Sequence, residues 1–367
     1  MFWRASRVKR GSLILLAVVG LVIIYLVEMT LHRVKQPYFE EKLAAAKLAR
    51  RAQEAIKYAI AQRHIAIDRV SDPNETGLIG EEFTLITTDQ GDLEAKLTTT
   101  DPNWAAVVVD MLKSAGVDSG DYVAVAWTGS MPAMNIAVLA AIETIGAIPV
   151  IISSIGASMW GANNPDFAWL DMEKYLYDRG IFHYRSVAAS IGGRGDRGAN
   201  ISPEGRQLCR QIARRNGVPL IEADNLDDAI KMRMKIYKEH LPPGKKYAAY
   251  INVGGGVASV GSAHNVGGVR PGITKHLPRG NYPIRGAMIR FGYLGVPIID
   301  ISDIKYLAKK YGMPIAPEPI PEPPAGGVFF KNQYRTEIVL VLLILYAALT
   351  FVVIRIDIKA YFRRKTS

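Results

Sequence analysis

Two uncharged apolar runs, one near each end, constrain this 367-residue chain more than anything else in it. Residues 12–27 read SLILLAVVGLVIIYLV and residues 338–354 read IVLVLLILYAALTFVVI. A helix that crosses a bilayer needs about 20 largely apolar residues. Flanking Gly11, Glu28 to Leu31 and Thr336 bring both runs to that length. A buried core helix is the alternative, but core helices of soluble domains keep a polar face and these runs have none. The overall hydrophobic fraction of 49% is ordinary, so the apolar excess is local. Spans at 12–31 and 336–354 are therefore expected.

Charge sets the expected orientation. Arg4, Arg7, Lys9 and Arg10 precede the first run, and Arg355, Lys359, Arg363, Arg364 and Lys365 follow the second against Asp357 alone. The positive-inside bias places both tails, 1–11 and 355–367, in the cytoplasm and the long middle across the membrane. Lys35, Lys331 and Arg335 oppose that bias. The formal net charge of +11 falls to +3 once both tails are set aside, because each carries a net +4. The charge is thus mostly topogenic, and no basic stripe points to nucleic acid. After Val27 the chain lacks a small-x-small cleavage pattern, so the first run reads as an uncleaved signal anchor.

Between the runs, 37–66 has helical periodicity and reads as a stalk. Residues 67–313 alternate helix with short apolar strand. Strands are expected at 122–127, 149–153, 218–223, 247–253 and 296–301. Helices are expected at 104–115, 132–145, 167–178, 203–216, 225–239, 285–293 and 302–311. Ser202 caps and Pro203 opens the fourth of these helices. Strands this apolar between helices imply one α/β domain, a three-layer fold around a mostly parallel sheet. The Pro-rich stretch within 314–335 reads as an extended linker. The lone Cys209 excludes an internal disulfide and reads as a small buried side chain. The histidines His32, His64, His183, His240 and His276 lack ligand spacing, so neither a metal nor a cofactor is expected. Arg194-Gly195-Asp196 reads as a solvated turn.

Ligands of such sheets bind at the carboxyl ends of strands, where three loops qualify. In the first, Thr128, Gly129, Ser130 and Asn135 lie between strand and helix. Ser130 is a helix cap, an anion ligand or a catalytic nucleophile there, although Pro132 breaks the G-x-S-x-G pattern. The second offers Ser153, Ser154, Ser158, Trp160 and Asn163, donors beside a flat apolar ring. The third, from Asn252 through Gly254, Gly255 and Gly256 to His264, can present backbone amides to an anion. It lacks the Lys of a phosphate-binding loop and the third glycine of a dinucleotide fingerprint. A Ser130–Asp171–His264 triad follows hydrolase order, yet no spacing supports it.

Three blocks in this order, 128–141 (TGSMPAMNIAVLAA), 153–173 (SSIGASMWGANNPDFAWLDME) and 252–261 (NVGGGVASVG), resemble the poly-γ-glutamate system protein family. Residues 77–98 (GLIGEEFTLITTDQGDLEAKLT) are similar to the same family. The resemblance implies an extracytoplasmic accessory protein of poly-γ-glutamate synthesis or export, beside synthase and export subunits, with the polymer itself as a ligand. It carries no catalytic residue. Two other readings stay open. One is a hydrolase or γ-glutamyl transferase with Ser130 as nucleophile and the amides of Gly254 to Gly256 as oxyanion donors. The other is a scaffold whose spans pack on partner subunits.

Overall fold

The computed structural model describes residues 9–266 and 268–363. Arg4, Arg7, Arg364 and Lys365 lie outside the described residues. The chain forms two units, Met1–Gln36 with Phe330–Ser367, and Pro37–Phe329.

Eleven strands occur among the described residues, in chain order β1 (His32–Lys35), β2 (Thr87–Asp89), β3 (Tyr122–Thr128), β4 (Ile148–Ser154), β5 (Ala157–Ser158), β6 (Ala188–Ser190), β7 (Leu220–Ile221), β8 (Tyr247–Val253), β9 (Gly272–Thr274), β10 (Ile298–Ile301) and β11 (Phe330–Gln333).

In the first unit, the helices Arg10–Glu28 and Thr336–Arg363 contain the two stretches long and apolar enough to cross a membrane, Arg10–Glu28 and Thr336–Ile356. The first helix stops at Glu28, so Arg10 and Gly11 complete it rather than Met29 to Leu31. Leu13, Leu21 and Leu343 are exposed, as apolar side chains facing lipid would be. The helices meet where Tyr346 OH donates to Leu16 O at 3.2 Å; a Cβ on Gly20 would stand 3.2 Å from that hydroxyl oxygen. Small residues permit such close approach between apolar helices. Antiparallel β1 and β11 form a ribbon in which the Arg33 guanidinium lies 3.6 Å from the Phe330 ring centre.

The second unit is mixed α/β, with a seven-stranded sheet in the order β7-β6-β4-β3-β8-β10-β9. Every neighbouring pair is parallel except β10 with β9. Side chains alternate faces along a strand. Ala124, Ala126, Val150, Ile152 and Tyr250 join Tyr237 and Phe291 in one buried cluster. Tyr250 stacks on Phe291 with ring centres 4.7 Å apart. Val123, Val125, Ile151 and Ile251 are buried on the opposite face. Burial on both faces is why these central strands read as continuous apolar runs.

The helix Phe39–Gln62 is not a stalk. It packs on Trp104–Ala115 and Pro132–Ile145 through Ala45, Ala46, Ala49, Ala52 and Ala59, all fully buried. An alanine stripe lets helix axes approach closely, which explains why a helix with so few large apolar residues joins a core. Lys42 is buried there too, with Nζ 2.6 Å from Asp110 Oδ1 and donating to Val328 O at 3.2 Å.

The Pro-rich segment is likewise docked rather than a free linker, because distant side chains satisfy its backbone. Asn74 Nδ2 donates to Pro317 O at 2.9 Å, and Ala316 N donates to Thr98 Oγ1 at 2.9 Å. Asn103 donates to Pro321 O and accepts from Ala325 N. Phe329 is fully buried edge-on to Phe39. Expected boundaries shift elsewhere: the strand at 218–223 shrinks to Leu220–Ile221, and the helix at 285–293 begins at Ala287. Ser202 and Pro203 cap and open the helix Pro203–Arg215 as expected.

Candidate functional site at the carboxyl edge of the sheet

The chain runs from β3 outward through β4, β6 and β7, then returns to place β8 on the other side of β3. The order therefore reverses between β3 and β8, and a crevice opens beyond their carboxyl ends. The first and third loops meet there. Cβ atoms on Gly254 and Gly256 would lie 3.4 Å from Thr128 Oγ1 and 3.3 Å from Thr128 Cγ2. Gly254 takes φ +78°, a conformation that favours glycine. Its amide already donates to Ile301 O, so the third loop has the Gly255 and Gly256 amides left for an anion, not three.

Below this crevice is a cavity of about 10 Å³, lined by Trp127, Thr128, Ser154, Arg233, Asn252 and Gly256. That is on the order of one water molecule. Asn252 is buried, donates to Gly254 O and Asp300 Oδ1, and leaves Oδ1 without a partner. Asn135 donates to Thr128 O at 2.9 Å and also leaves Oδ1 unpaired. Burial raises the Asp300 carboxyl above the usual range.

The other expected residues separate into those held by internal hydrogen bonds and those left partly or fully exposed. Ser130 is not the helix cap: Met131 holds that position, and Ser130 Oγ accepts from Ser158 N at 2.9 Å. It thereby ties the first loop, with Gly129, to the second. Ser153 is an internal residue, accepting from Trp127 Nε1 and bonded to Ser186 Oγ at 2.6 Å. Ser154 bonds Ser190 and accepts from Arg233 Nη2. Asn163 is fully buried and spends its amide on Glu81 and Thr87, so it anchors the 77–90 segment instead of a ligand. Trp160 is half-buried at φ +58°, a strained conformation for a bulky residue. His264 is exposed on the short helix Ala263–Val266.

The Ser130–Asp171–His264 triad is not available. Asp171 caps its own helix by accepting from Ala168 N and is otherwise engaged by Arg215 and Asn216. Cys209 is buried as expected, and burial pushes its thiol up to about 12.

Sequence reasoning missed three features. Asp196 of the Gly-rich turn is buried against Arg233 rather than solvated. Lys96 is 2% exposed, with Nζ donating to Ser130 O at 2.5 Å and lying 3.0 Å from Ser158 Oγ. Beyond the ends of β6 and β7, an open cleft of about 530 Å³ gathers Arg197, Arg206 and Arg210 with Glu222 and Asp224. Arg210 pairs with Glu222 at 2.7 Å, Arg206 donates to Ile201 O, and Arg197 has no ion pair among the described residues. The i, i+4 spacing of Arg206 and Arg210 was the one local signal for this cleft.

No protein-family model, curated protein or solved structure matches the chain.

Proposed function

We propose that the chain is a two-pass membrane protein, with both termini cytoplasmic and its α/β unit across the membrane, that serves as an accessory component of poly-γ-glutamate synthesis or export. It acts by receiving or guiding the polycarboxylate beside the synthase and export subunits. The three sequence blocks and the two terminal apolar helices support this reading. The observation that carries it is the cleft at the carboxyl edge of the sheet, where Arg197, Arg206 and Arg210 outnumber Glu222 and Asp224. Guanidinium groups match carboxylates in shape and charge, and a volume of about 530 Å³ fits a short stretch of an extended polyanion. A net charge of +3 on the middle of the chain offers no general polyanion surface, so recognition is local to these arginines.

Titration of the detergent-solubilised full chain with oligo-γ-glutamate, followed by calorimetry, tests the proposal. A charge-assisted hydrogen bond contributes about 1.5–3 kcal/mol. The double change Arg206→Ala with Arg210→Ala is therefore expected to weaken binding at least about tenfold. Added salt should weaken the wild-type interaction as well. Equal affinity in wild type and variant, or no binding by either, overturns the proposal.

A further inference from the structure

Lys96 has no place in the carboxylate-guiding reading, yet its setting is specific. It belongs to the helix Leu93–Thr99, packed beneath the loops that follow β3 and β4. No carboxylate stands within ion-pair distance of its Nζ among the described residues. The acid whose charge acts on it, Asp92, is the helix cap and is held together with Glu94 by Lys305, at 2.8 Å and 2.6 Å. Close approach is built into the backbone: a Cβ on Gly91 would fall 2.9 Å from Lys96 Cε and 2.3 Å from Met159 O. On the other side, a Cβ on Gly161 would fall 2.8 Å from Ser130 Cα. Two glycines thus let the Lys96 helix and the first and second loops close around one half-buried hydroxyl, that of Ser158.

We propose that Ser158 and Lys96 form an acyl-transfer centre for an amide carbonyl, with Ser158 Oγ as nucleophile and the Lys96 amine as its base. Ser158, not Ser130, is assigned as nucleophile because Nζ reaches Ser130 only at its carbonyl oxygen. Ser130 is a positioning residue whose hydroxyl accepts from Ser158 N and holds the loop. Burial lowers the Lys96 amine to about 7, so a substantial neutral fraction exists at physiological pH. Asp92 opposes that shift and is itself partly neutralised by Lys305.

The proton and bond balance is complete without any further group. Neutral Nζ takes the Ser158 hydroxyl proton as Oγ bonds to the amide carbon. The carbon–nitrogen bond then breaks, and the proton on Nζ passes to the leaving amine. Water, or a second amine, attacks the resulting ester and gives its proton to Nζ. The carbon–Oγ bond breaks and Oγ recovers the proton, so an amide and water become an acid and an amine, or an amide and a second amine become a new amide and the first amine. This inference goes beyond the carboxylate-guiding reading and does not require that polymer as substrate.

A rhodamine fluorophosphonate, which transfers its phosphonyl group to an activated serine with loss of fluoride, tests it on the detergent-solubilised full chain. Peptide mass spectrometry should find the label on Ser158. Its initial rate should rise with pH through about 7 and fall about 100-fold in Lys96→Met and Lys96→Arg, the scale of lost base catalysis. Should either variant fail to fold, the other variant and the wild-type pH profile decide. Absence of label on Ser158, an undiminished rate in a folded Lys96 variant, or a flat profile across neutral pH overturns the assignment. None of these outcomes depends on oligo-γ-glutamate binding, so the two proposals fail separately.

Discussion

Arg233 and Asp196 meet as a buried ion pair, with Nη2 2.9 Å and Nε 3.1 Å from Asp196 Oδ2. The pair lies beside the cavity under the β3–β8 crevice, and Arg233 Nη2 also donates to Ser190 Oγ at 2.6 Å. It therefore connects the turn after β6 to the helix Leu226–Glu239 and to the end of β4. Removing one partner of such a pair leaves a buried charge uncompensated. Asp196→Asn is expected to destabilise the protein by about 3–5 kcal/mol. The joint change Asp196→Leu with Arg233→Met should cost less than the single change, because no charge remains to be desolvated. Urea unfolding of the three proteins measures both.

Docking of the Pro-rich segment predicts protection from proteolysis. Phe329 ends that segment fully buried beside Phe39. Phe329→Ala should cost about 3–5 kcal/mol and release the segment. Limited proteolysis should then cut within 314–325 markedly faster than in wild type. A free linker would be cut at the same rate in both.

Glu173 should impose a pH dependence on stability. Burial raises its carboxyl to about 7, against hydrogen bonds from Ser186 and the nearby Arg185 charge, which act in the other direction. The folded state thus binds the proton more tightly than the unfolded chain, whose ordinary value is 4.5. Stability is then fully present below about 4.5 and is lost as pH rises to about 7, with little further change above that. The limiting slope is about 1.4 kcal/mol per pH unit. Glu173→Gln should flatten this part of the profile in chemical denaturation across pH.

Gly161→Ala probes how the first two loops are joined. Its new Cβ would press on the Ser130 backbone, which cannot yield as a flexible side chain could. A cost of about 1–3 kcal/mol is expected, together with loss of the Ser130–Ser158 hydrogen bond, read by thermal unfolding and by amide exchange at Ser158. Unchanged protection at Ser158 would contradict the tight approach.

The parts of the fold legible in the sequence are those whose signal is local. β3 and β8, buried on both faces, announce themselves as YVAVAW and YAAYINV, and Ser202-Pro203 marks a helix start. Strand β6, three residues long, holds too few residues for any period to register, while β7 is legible as an apolar stretch at 218–223 but pairs only over Leu220–Ile221. Three loops were correctly expected at the carboxyl edge, since strand–helix alternation alone puts them there. Which of their side chains face a ligand depends on contacts with distant segments. Asn163 is consumed by Glu81 and Thr87, Ser153 by Trp127 and Ser186, and Lys96 is drawn in by residues far along the chain. The alanine stripe of Phe39–Gln62 signals a helix but not its covering, so a stalk and a core helix look alike until the partner helices are seen.

The side of the membrane on which the α/β unit stands is the central claim, and one exposed cysteine tests it. Native Cys209 is buried, with its thiol held protonated, and gives little background. Val70 is 89% exposed, so Val70→Cys offers a reactive thiol on the unit. A membrane-impermeant maleimide added to intact spheroplasts should label Val70→Cys without lysis. Labelling that appears only after the membrane is opened would contradict the account.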